Sequence, residues 1–224
     1  MIGNLVMELP IDRLRMRLLP YQSHPSMIGI NEVGHVPVTS EFVRDLVDCL
    51  VSEDISVIRS GLFYCLGLFA AGKWAEFGSN LQEILKANLP VWILHPEPKV
   101  RGSAVPLYIE LRAYLPQYRN QLKECLQDSD SEVRQCALHY TETFLKAMEV
   151  TPLLHFLNDP YAAESEMGGH LTYVLRNMAL ERIEGLIDRR FAKSELCETV
   201  DGELFFWWDW SQFLAWWKAN SNEH

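Results

Sequence analysis

The chain has 224 residues, of which 48% are hydrophobic and 22% are charged, and its formal net charge is −10. These values are typical of a folded protein with a substantial core. Residues 128–224 carry 17 acidic and 8 basic side chains, so the acidity lies in the C-terminal part. Nucleic acid is not expected as a direct ligand, because Lys and Arg normally neutralise its phosphates. The acidity favours a basic protein partner. The alternative is that the acidity serves solubility alone.

Two features bear on the cellular location. The longest apolar run, residues 62–71, covers about half of a bilayer, and residues 1–20 lack the order of a signal peptide. The number of cysteines is odd, and most of them occupy apolar positions of helical patterns, which favours reduced thiols over disulfides. We therefore expect a cytoplasmic protein without membrane contact, with free thiols at Cys49, Cys65, Cys125, Cys136 and Cys197.

The chain begins with a proline-rich segment. Residues 1–38 contain four prolines, which predicts an irregular arm with one helical turn around residues 11–18. From Thr39 onward a helical period appears, and the pattern predicts a first helix with a buried stripe formed by Phe42, Leu46, Cys49 and Leu50. A second helix is predicted from about residue 55 to residue 71, with Gly72 as its C-terminal cap.

The next predicted helix pair is less regular. Asn80 and Glu83 have the spacing of a capping box, which predicts a helix from residue 80 to about residue 87. A longer connection follows. The helical pattern returns at residues 100–115, although Pro106 must kink this helix or delay its start.

The clearest helix pair covers residues 116–148. Its second helix is predicted to begin at a capping box formed by Ser129 and Glu132 and to continue to residue 148. That helix is apolar over a wide arc, which indicates packing on both sides, and its polar stripe is formed by Gln135, His139, Glu142 and Lys146. A further helix is predicted over about residues 164–179, with a similar stripe formed by Glu166, His170, Tyr173 and Asn177.

These units resemble HEAT repeats. The family pattern Asp-x-x-Val-Arg-x-x-Ala-Leu is matched by Asp130, Val133, Arg134, Ala137 and Leu138. A related opening stands at Val100, about 33 residues before Val133, and a looser one stands at Val57, about 43 residues before Val100. These spacings are near the length of two-helix repeats. Three units depart from this pattern. The opening at Val57 reads Val-Ile-Arg, the unit that opens at Val100 contains Pro106, and the last unit lacks the Val-Arg pair.

The resemblance covers about residues 39–192, and armadillo-like packing is nearly as compatible. The resemblance to HEAT repeats implies an all-α fold, namely a short right-handed α-solenoid of stacked antiparallel helix pairs. It also implies a structural role for Arg134, because the family's arginine often pairs with an aspartate of the neighbouring turn.

Residues 193–224 form a segment rich in tryptophan. Asp209 is expected to cap a helix that runs to about residue 219 and closes the last repeat. Its inward side chains would be Trp210, Phe213, Leu214 and Trp217. Some of the remaining tryptophans must then stay near the surface. Capping alone explains this segment, and a partner-binding site at Trp207 and Trp208 is the alternative.

The sequence contains no catalytic motif of any specificity. Cys136 and His139 have a spacing that suits a metal, but a structural zinc site needs four ligands and no second pair is suitably placed. We therefore predict no enzymatic activity, no metal and no cofactor.

The function we predict is a non-enzymatic protein-binding solenoid. One concrete form is an immunity-type inhibitor that neutralises a basic toxin such as a nuclease. The alternatives are a HEAT-like adaptor or assembly factor, or less favourably a ligand-handling enzyme such as a bilin lyase. DNA glycosylases also share such folds, but the net negative charge opposes their basic groove. The predicted partner-binding residues are Gln135, His139, Glu142, Glu166, His170, Tyr173, Asn177, Trp207 and Trp208.

Overall fold

The computed structural model describes residues 10–18, 33–164 and 170–221. The chain forms two compact units, Met1–Gln121 and Leu122–His224. Most of the described chain is helical, so the prediction of a helical protein is confirmed. The prediction of an exclusively helical fold is wrong, because the second unit also contains a four-stranded sheet.

The first unit begins with helix α1, Pro10–Leu18, which is longer than the single turn predicted there. Two of its arginines bind the buried carboxylate of Asp45: the Nε atoms of Arg13 and Arg17 lie 2.8 Å and 2.9 Å from its two oxygens. Ile11 and Leu14 are buried as well. These contacts make α1 part of the core of this unit rather than an irregular arm.

Helices α2, Ser40–Leu50, and α3, Ile55–Ala70, follow the predicted pattern. Thr39 caps α2 by accepting a hydrogen bond from the Phe42 amide, and the predicted apolar stripe of α2 is buried. Gly61 lets the two helices approach closely, since a Cβ atom at this position would lie 3.1 Å from the Leu50 side chain.

Helix α4, Gly78–Trp92, differs from its prediction at both ends. It begins before Asn80, and it continues through Pro90 instead of ending at residue 87. Burial explains the extension, because a helical stripe of buried side chains runs past the proline, formed by Leu81, Leu85, Leu89 and Trp92. Helix α5, Pro98–Glu110, likewise contains Pro106. Helix α5 packs against both α3 and α4, so the two helix pairs of this unit adjoin.

Helix α6, Tyr118–Cys125, spans the boundary between the units, and α7, Ser131–His139, follows. The residue that caps α7 is Asp130, whose Oδ1 accepts hydrogen bonds from the amides of Glu132 and Val133, so the predicted capping box at Ser129 is wrong.

The helix predicted to reach residue 148 breaks after His139, and only a short helix, α8, Thr141–Phe144, continues it. The hydroxyl of Thr141 donates to the Leu138 carbonyl and that of Thr143 donates to the Tyr140 carbonyl. Such local bonds compete with helix continuation, which gives a physical reason for the break.

The helix predicted over residues 164–179 is also wrong. Strands β1, Ala163–Glu164, and β2, Leu171–Thr172, precede helix α9, which covers Val174–Ile187. The Tyr173 amide donates to the Phe206 carbonyl, so the residues before α9 pair with the sheet. Helix α9 packs against α7, α8 and the short 3-10 helix Thr151–Asn158.

Strands β3, Glu195–Val200, and β4, Glu203–Trp208, form a hairpin. The sheet order is β1-β2-β4-β3, with β2 and β4 parallel and the other neighbours antiparallel. Asp201 and Gly202 have φ values of 50° and 88°, which suit the tight two-residue turn that joins hairpin strands.

The last helix, α10, Ser211–Asn220, begins as predicted after Asp209, whose carboxylate accepts a hydrogen bond from the Ser211 amide. Trp210 and Phe213 are buried as predicted, whereas Leu214 is exposed. The preceding tryptophans, Trp207 and Trp208, lie on strand β4.

Candidate binding surface

The predicted binding residues all belong to the second unit, but they do not form one polar stripe. Gln135 and His139 lie on α7, and Glu142 lies on α8. Arg182 of α9 contacts two of them: its guanidinium lies 3.4 Å from Nδ1 of His139 and 3.5 Å from Oε1 of Glu142. The charge of Glu142 is thus partly neutralised within the unit.

The second predicted stripe is not formed. Glu166 lies outside the described residues, and His170 precedes strand β2 rather than lying on a helix. Asn177 is on α9, where its Oδ1 accepts a hydrogen bond of 2.8 Å from the Trp208 amide. This bond joins the helix to the sheet, so we assign Asn177 a structural role.

Tyr173 lies instead on one face of the sheet. Its ring stacks on Phe205 at a centroid distance of 5.1 Å and meets Trp207 edge-on at 5.8 Å. Alternate residues of a strand share a face. The register pairs Leu196 with Trp207 and Glu198 with Phe205, which places these side chains on the same face. We call this the aromatic face: Tyr173, Leu196, Glu198, Val200, Phe205 and Trp207.

Charged groups fix the position of Tyr173 on the aromatic face. The guanidinium of Arg176 lies 3.5 Å from the centre of its ring, and the Arg176 Nε donates to the Asp159 carbonyl at 3.0 Å. The Tyr173 hydroxyl donates to Glu198 Oε1 at 3.0 Å. Burial and this bond to a carboxylate raise the pKa of Tyr173, so the hydroxyl remains a donor at neutral pH.

The opposite face of the sheet carries the other predicted tryptophan. The Trp208 ring lies under the ammonium of Lys193, 3.8 Å from its centre, and the same ammonium lies 3.5 Å from the buried carboxylate of Glu184. The ring of His170 contacts Phe206 on this side. Trp207 and Trp208 therefore cannot act together as one anchor.

The hairpin contains the residues that the sequence interpretation missed. Strand β3 is exposed over its whole length, and Leu196 and Val200 each keep 41% of their surface accessible. Between residues 194 and 217 there is no Lys or Arg, whereas the acidic residues there are Glu195, Glu198, Asp201, Glu203 and Asp209. The signal was present in the sequence, because an Asp-Gly pair between two apolar-rich runs predicts a hairpin.

Two further properties concern the described segments 10–18, 33–164 and 170–221. They contain no group of three or more His, Cys, Asp or Glu side chains arranged to hold a metal ion. Likewise, none of the helices in these segments combines the length and apolar character needed to cross a bilayer.

Comparison of the sequence with protein-family models and with curated proteins finds no match. The resemblance to HEAT repeats therefore depends on the residues around Arg134 and on the helix pairs themselves.

Proposed function

We propose that this protein is a non-enzymatic binding module whose acidic hairpin, β3–β4, receives a basic protein partner. The observation that carries the proposal is the exposure of β3 together with its chemistry. An apolar pair, Leu196 and Val200, flanks Glu198 beside the half-buried ring of Trp207. Aromatic and apolar groups supply the buried centre of protein interfaces, and surrounding charges of one sign select a partner of the opposite sign.

We further propose that the helix pairs are HEAT-like repeats. The support is the adjoining pairs α2–α3 and α4–α5 in the first unit, and the contact of Arg134 with Asp159 in the second. Such repeats form rigid scaffolds for interaction surfaces. An inhibitor of a basic toxin such as a nuclease is the form of the function that the charge supports most directly.

A site-specific photo-crosslinking experiment in the native host tests this function. A photoreactive amino acid replaces Leu196 in one variant of the full chain and the exposed Val51 of the first unit in another. We expect the variant at position 196 to capture a basic protein that the variant at position 51 does not. An acidic product, or the same product from both positions, contradicts the proposal.

The captured protein is then purified and its own activity is assayed with increasing amounts of the full chain. If it is a nuclease, we expect stoichiometric loss of cleavage. The variant Glu198→Lys should weaken the inhibition, and Glu53→Lys, an equal charge change on the first unit, should not. Unchanged cleavage at saturating binding supports an adaptor rather than an inhibitor.

A further inference from the structure

We propose that the outer edge of strand β3 binds an extended basic segment of the partner, which pairs with it as a fifth strand of the sheet. The inference rests on the proposed function and specifies how the hairpin would bind. Addition of a strand to an exposed sheet edge is a common mode of peptide recognition, with backbone hydrogen bonds supplying the affinity.

The hydrogen bonds of the hairpin show which backbone groups face outward. The Asp209 amide donates to the Ser194 carbonyl at 2.8 Å, just beyond the ends of the two strands. In an antiparallel pair the hydrogen-bonded positions alternate, so Leu196, Glu198 and Val200 direct their backbone groups toward β4. The N–H and C=O groups of the intervening residues therefore point away from β4, namely those of Glu195, Cys197 and Thr199.

Strand β4 supports this assignment from its other side. The Tyr173 amide donates to the Phe206 carbonyl, and the Trp208 amide donates to Asn177. Phe206 and Trp208 pair with Cys197 and Glu195 in the register, so these positions of β4 direct their backbone groups toward β2. The alternation is therefore the same along the whole hairpin.

The outer edge of β3 has no partner strand within the described part of the chain. Natural proteins usually protect such edges with Lys, Pro or a β-bulge. Strand β3 contains neither residue type, and its six residues pair one-to-one with β4, which leaves no bulge. A regular edge of this length, protected only by the negative charge of its glutamates, is a template for pairing with a strand of opposite charge.

The negative charges of β3 favour a basic partner strand at its outer edge. Glu195 and Glu198 lie on opposite faces of the strand, so a partner strand meets a carboxylate on either face. A second copy of β3 would add two more glutamates to the same edge, and like charges across strands are destabilising. A segment with lysine or arginine opposite the glutamates, and apolar residues opposite Leu196 and Val200, is complementary.

A designed hexapeptide, acetyl-Val-Thr-Lys-Thr-Val-Lys-amide, provides the probe. In antiparallel register its lysines lie opposite Glu198 and Glu195, and its valines lie opposite Val200 and Leu196. Titration into the full chain is followed by NMR and by amide hydrogen exchange. We expect binding, with slower exchange at the outward amides of Cys197 and Thr199 and no comparable change on α2.

Two control peptides separate backbone pairing from charge. The first carries N-methyl groups on the alternate amides that would face β3, and the second has both lysines replaced by glutamate. We expect the N-methylated peptide to bind at least tenfold more weakly and the acidic peptide to show no binding. Equal affinity of the N-methylated and parent peptides overturns the inference, because N-methylation removes the backbone donors and leaves the charges.

Variants of the protein give an independent test. Thr199→Pro removes one outward donor and keeps the hydrogen bonds to β4, since proline is tolerated where its missing N–H would face away from the neighbouring strand. Thr199→Val is the matched control. We expect Thr199→Pro to bind the peptide at least tenfold more weakly and Thr199→Val to bind it normally.

The outcomes distinguish this inference from the function on which it rests. If a basic partner crosslinks at position 196 but binds Thr199→Pro and wild type equally, the proposed function stands and strand addition is overturned. If the parent peptide does not bind, strand addition is also overturned. The peptide comparison uses the wild-type chain, so it decides the question even if the proline variant fails to fold.

Discussion

Arg134 and Asp159 form a two-pronged ion pair inside the second unit. The Nε atom of Arg134 lies 2.8 Å from Oδ2 of Asp159, and its Nη2 atom lies 3.1 Å from Oδ1. The remaining nitrogen, Nη1, donates to the carbonyls of Asp128 and Ser129. One side chain thereby joins the turn before α7 to the end of the 3-10 helix Thr151–Asn158, which is the structural role expected for Arg134.

Loss of this arginine should destabilise the protein strongly. Arg134→Met leaves the carboxylate of Asp159 buried without its partner, which costs about 3–5 kcal/mol in comparable pairs. Arg182→Met is the control, because its pair with Glu142 lies at the surface and contributes about 0–1 kcal/mol. Urea denaturation measures both free energies of unfolding. Similar free energies of unfolding for the two variants would contradict a larger contribution of the buried pair to stability.

Phe144 should be a core residue in spite of its place in a very short helix. Its side chain is fully buried, and Phe144→Ala should lower the free energy of unfolding by about 3–5 kcal/mol through cavity formation. Leu214→Ala, at a position with 40% exposure, should change it by less than about 0.5 kcal/mol. Equal midpoints for these variants in chemical denaturation would contradict the packing.

The attachment of α1 should depend on pH. Burial alone would raise the pKa of Asp45, but hydrogen bonds from Arg13 and Arg17 outweigh it and hold the pKa below its ordinary value of 3.8. Because the folded-state pKa is depressed, the stabilisation is present above the unfolded pKa and is lost as the pH falls through the folded-state value.

The protection factors of the α1 amides, which are corrected for the intrinsic pH dependence of exchange, should therefore be high at pH 6 and should fall below pH about 3.8. Asp45→Asn should lower the protection of α1 already at pH 6, and Asp54→Asn, the same substitution at the exposed N-cap of α3, should not lower it. If α1 exchanges at the same rate in Asp45→Asn and wild type, the ion pairs do not hold it.

The thiols should differ widely in reactivity. Burial raises the pKa of Cys49 to about 12, and it raises that of the buried Cys65 as well, so few reactive thiolates form there at pH 8. Cys197, by contrast, is exposed on β3 and should react quickly. Treatment with a thiol reagent should show one fast thiol that is absent from Cys197→Ser. Several fast thiols in that variant would disagree with the burial.

Partner binding should respond differently to charge and to aromatic substitutions. Glu198→Lys should mainly slow association, and the effect should fade as salt screens surface charges beyond about 8–10 Å. Glu142→Lys should have less effect, because Arg182 already neutralises that carboxylate in part.

Trp207→Ala should mainly speed dissociation, as loss of a buried anchor does. Surface plasmon resonance with the crosslinked partner measures both rates, and unchanged kinetics in all three variants would move the binding site elsewhere.

Local patterns in the sequence predicted much of the helical structure. The buried stripe that contains Phe42 and the burial of Val133 and Ala137 follow from spacing within one helix, and both are present. The aspartate partner of Arg134 was implied by the resemblance to HEAT repeats and not by the spacing.

Errors arose where distant segments compete with local preference. The helix predicted to end at about residue 87 continues to Trp92, because a buried stripe on both sides of Pro90 maintains it. Residues 171–172 fit a helical pattern, yet they pair with β4, which lies more than thirty residues later in the chain. The polar stripe predicted for a helix over residues 164–179 included Tyr173, whereas in the structure Tyr173 lies on the aromatic face of the sheet.

The sequence by itself determined the acidity of the C-terminal part, the helical character of most of the chain and the apolar stripes of individual helices, because these depend on composition and on neighbours within one or two turns. Only the tertiary structure decided that Trp207 and Trp208 lie on opposite faces, that Asn177 binds the Trp208 backbone and that the outer edge of β3 is open. Strand pairing decides these features, and the register of two strands is fixed by contacts between residues far apart in the chain.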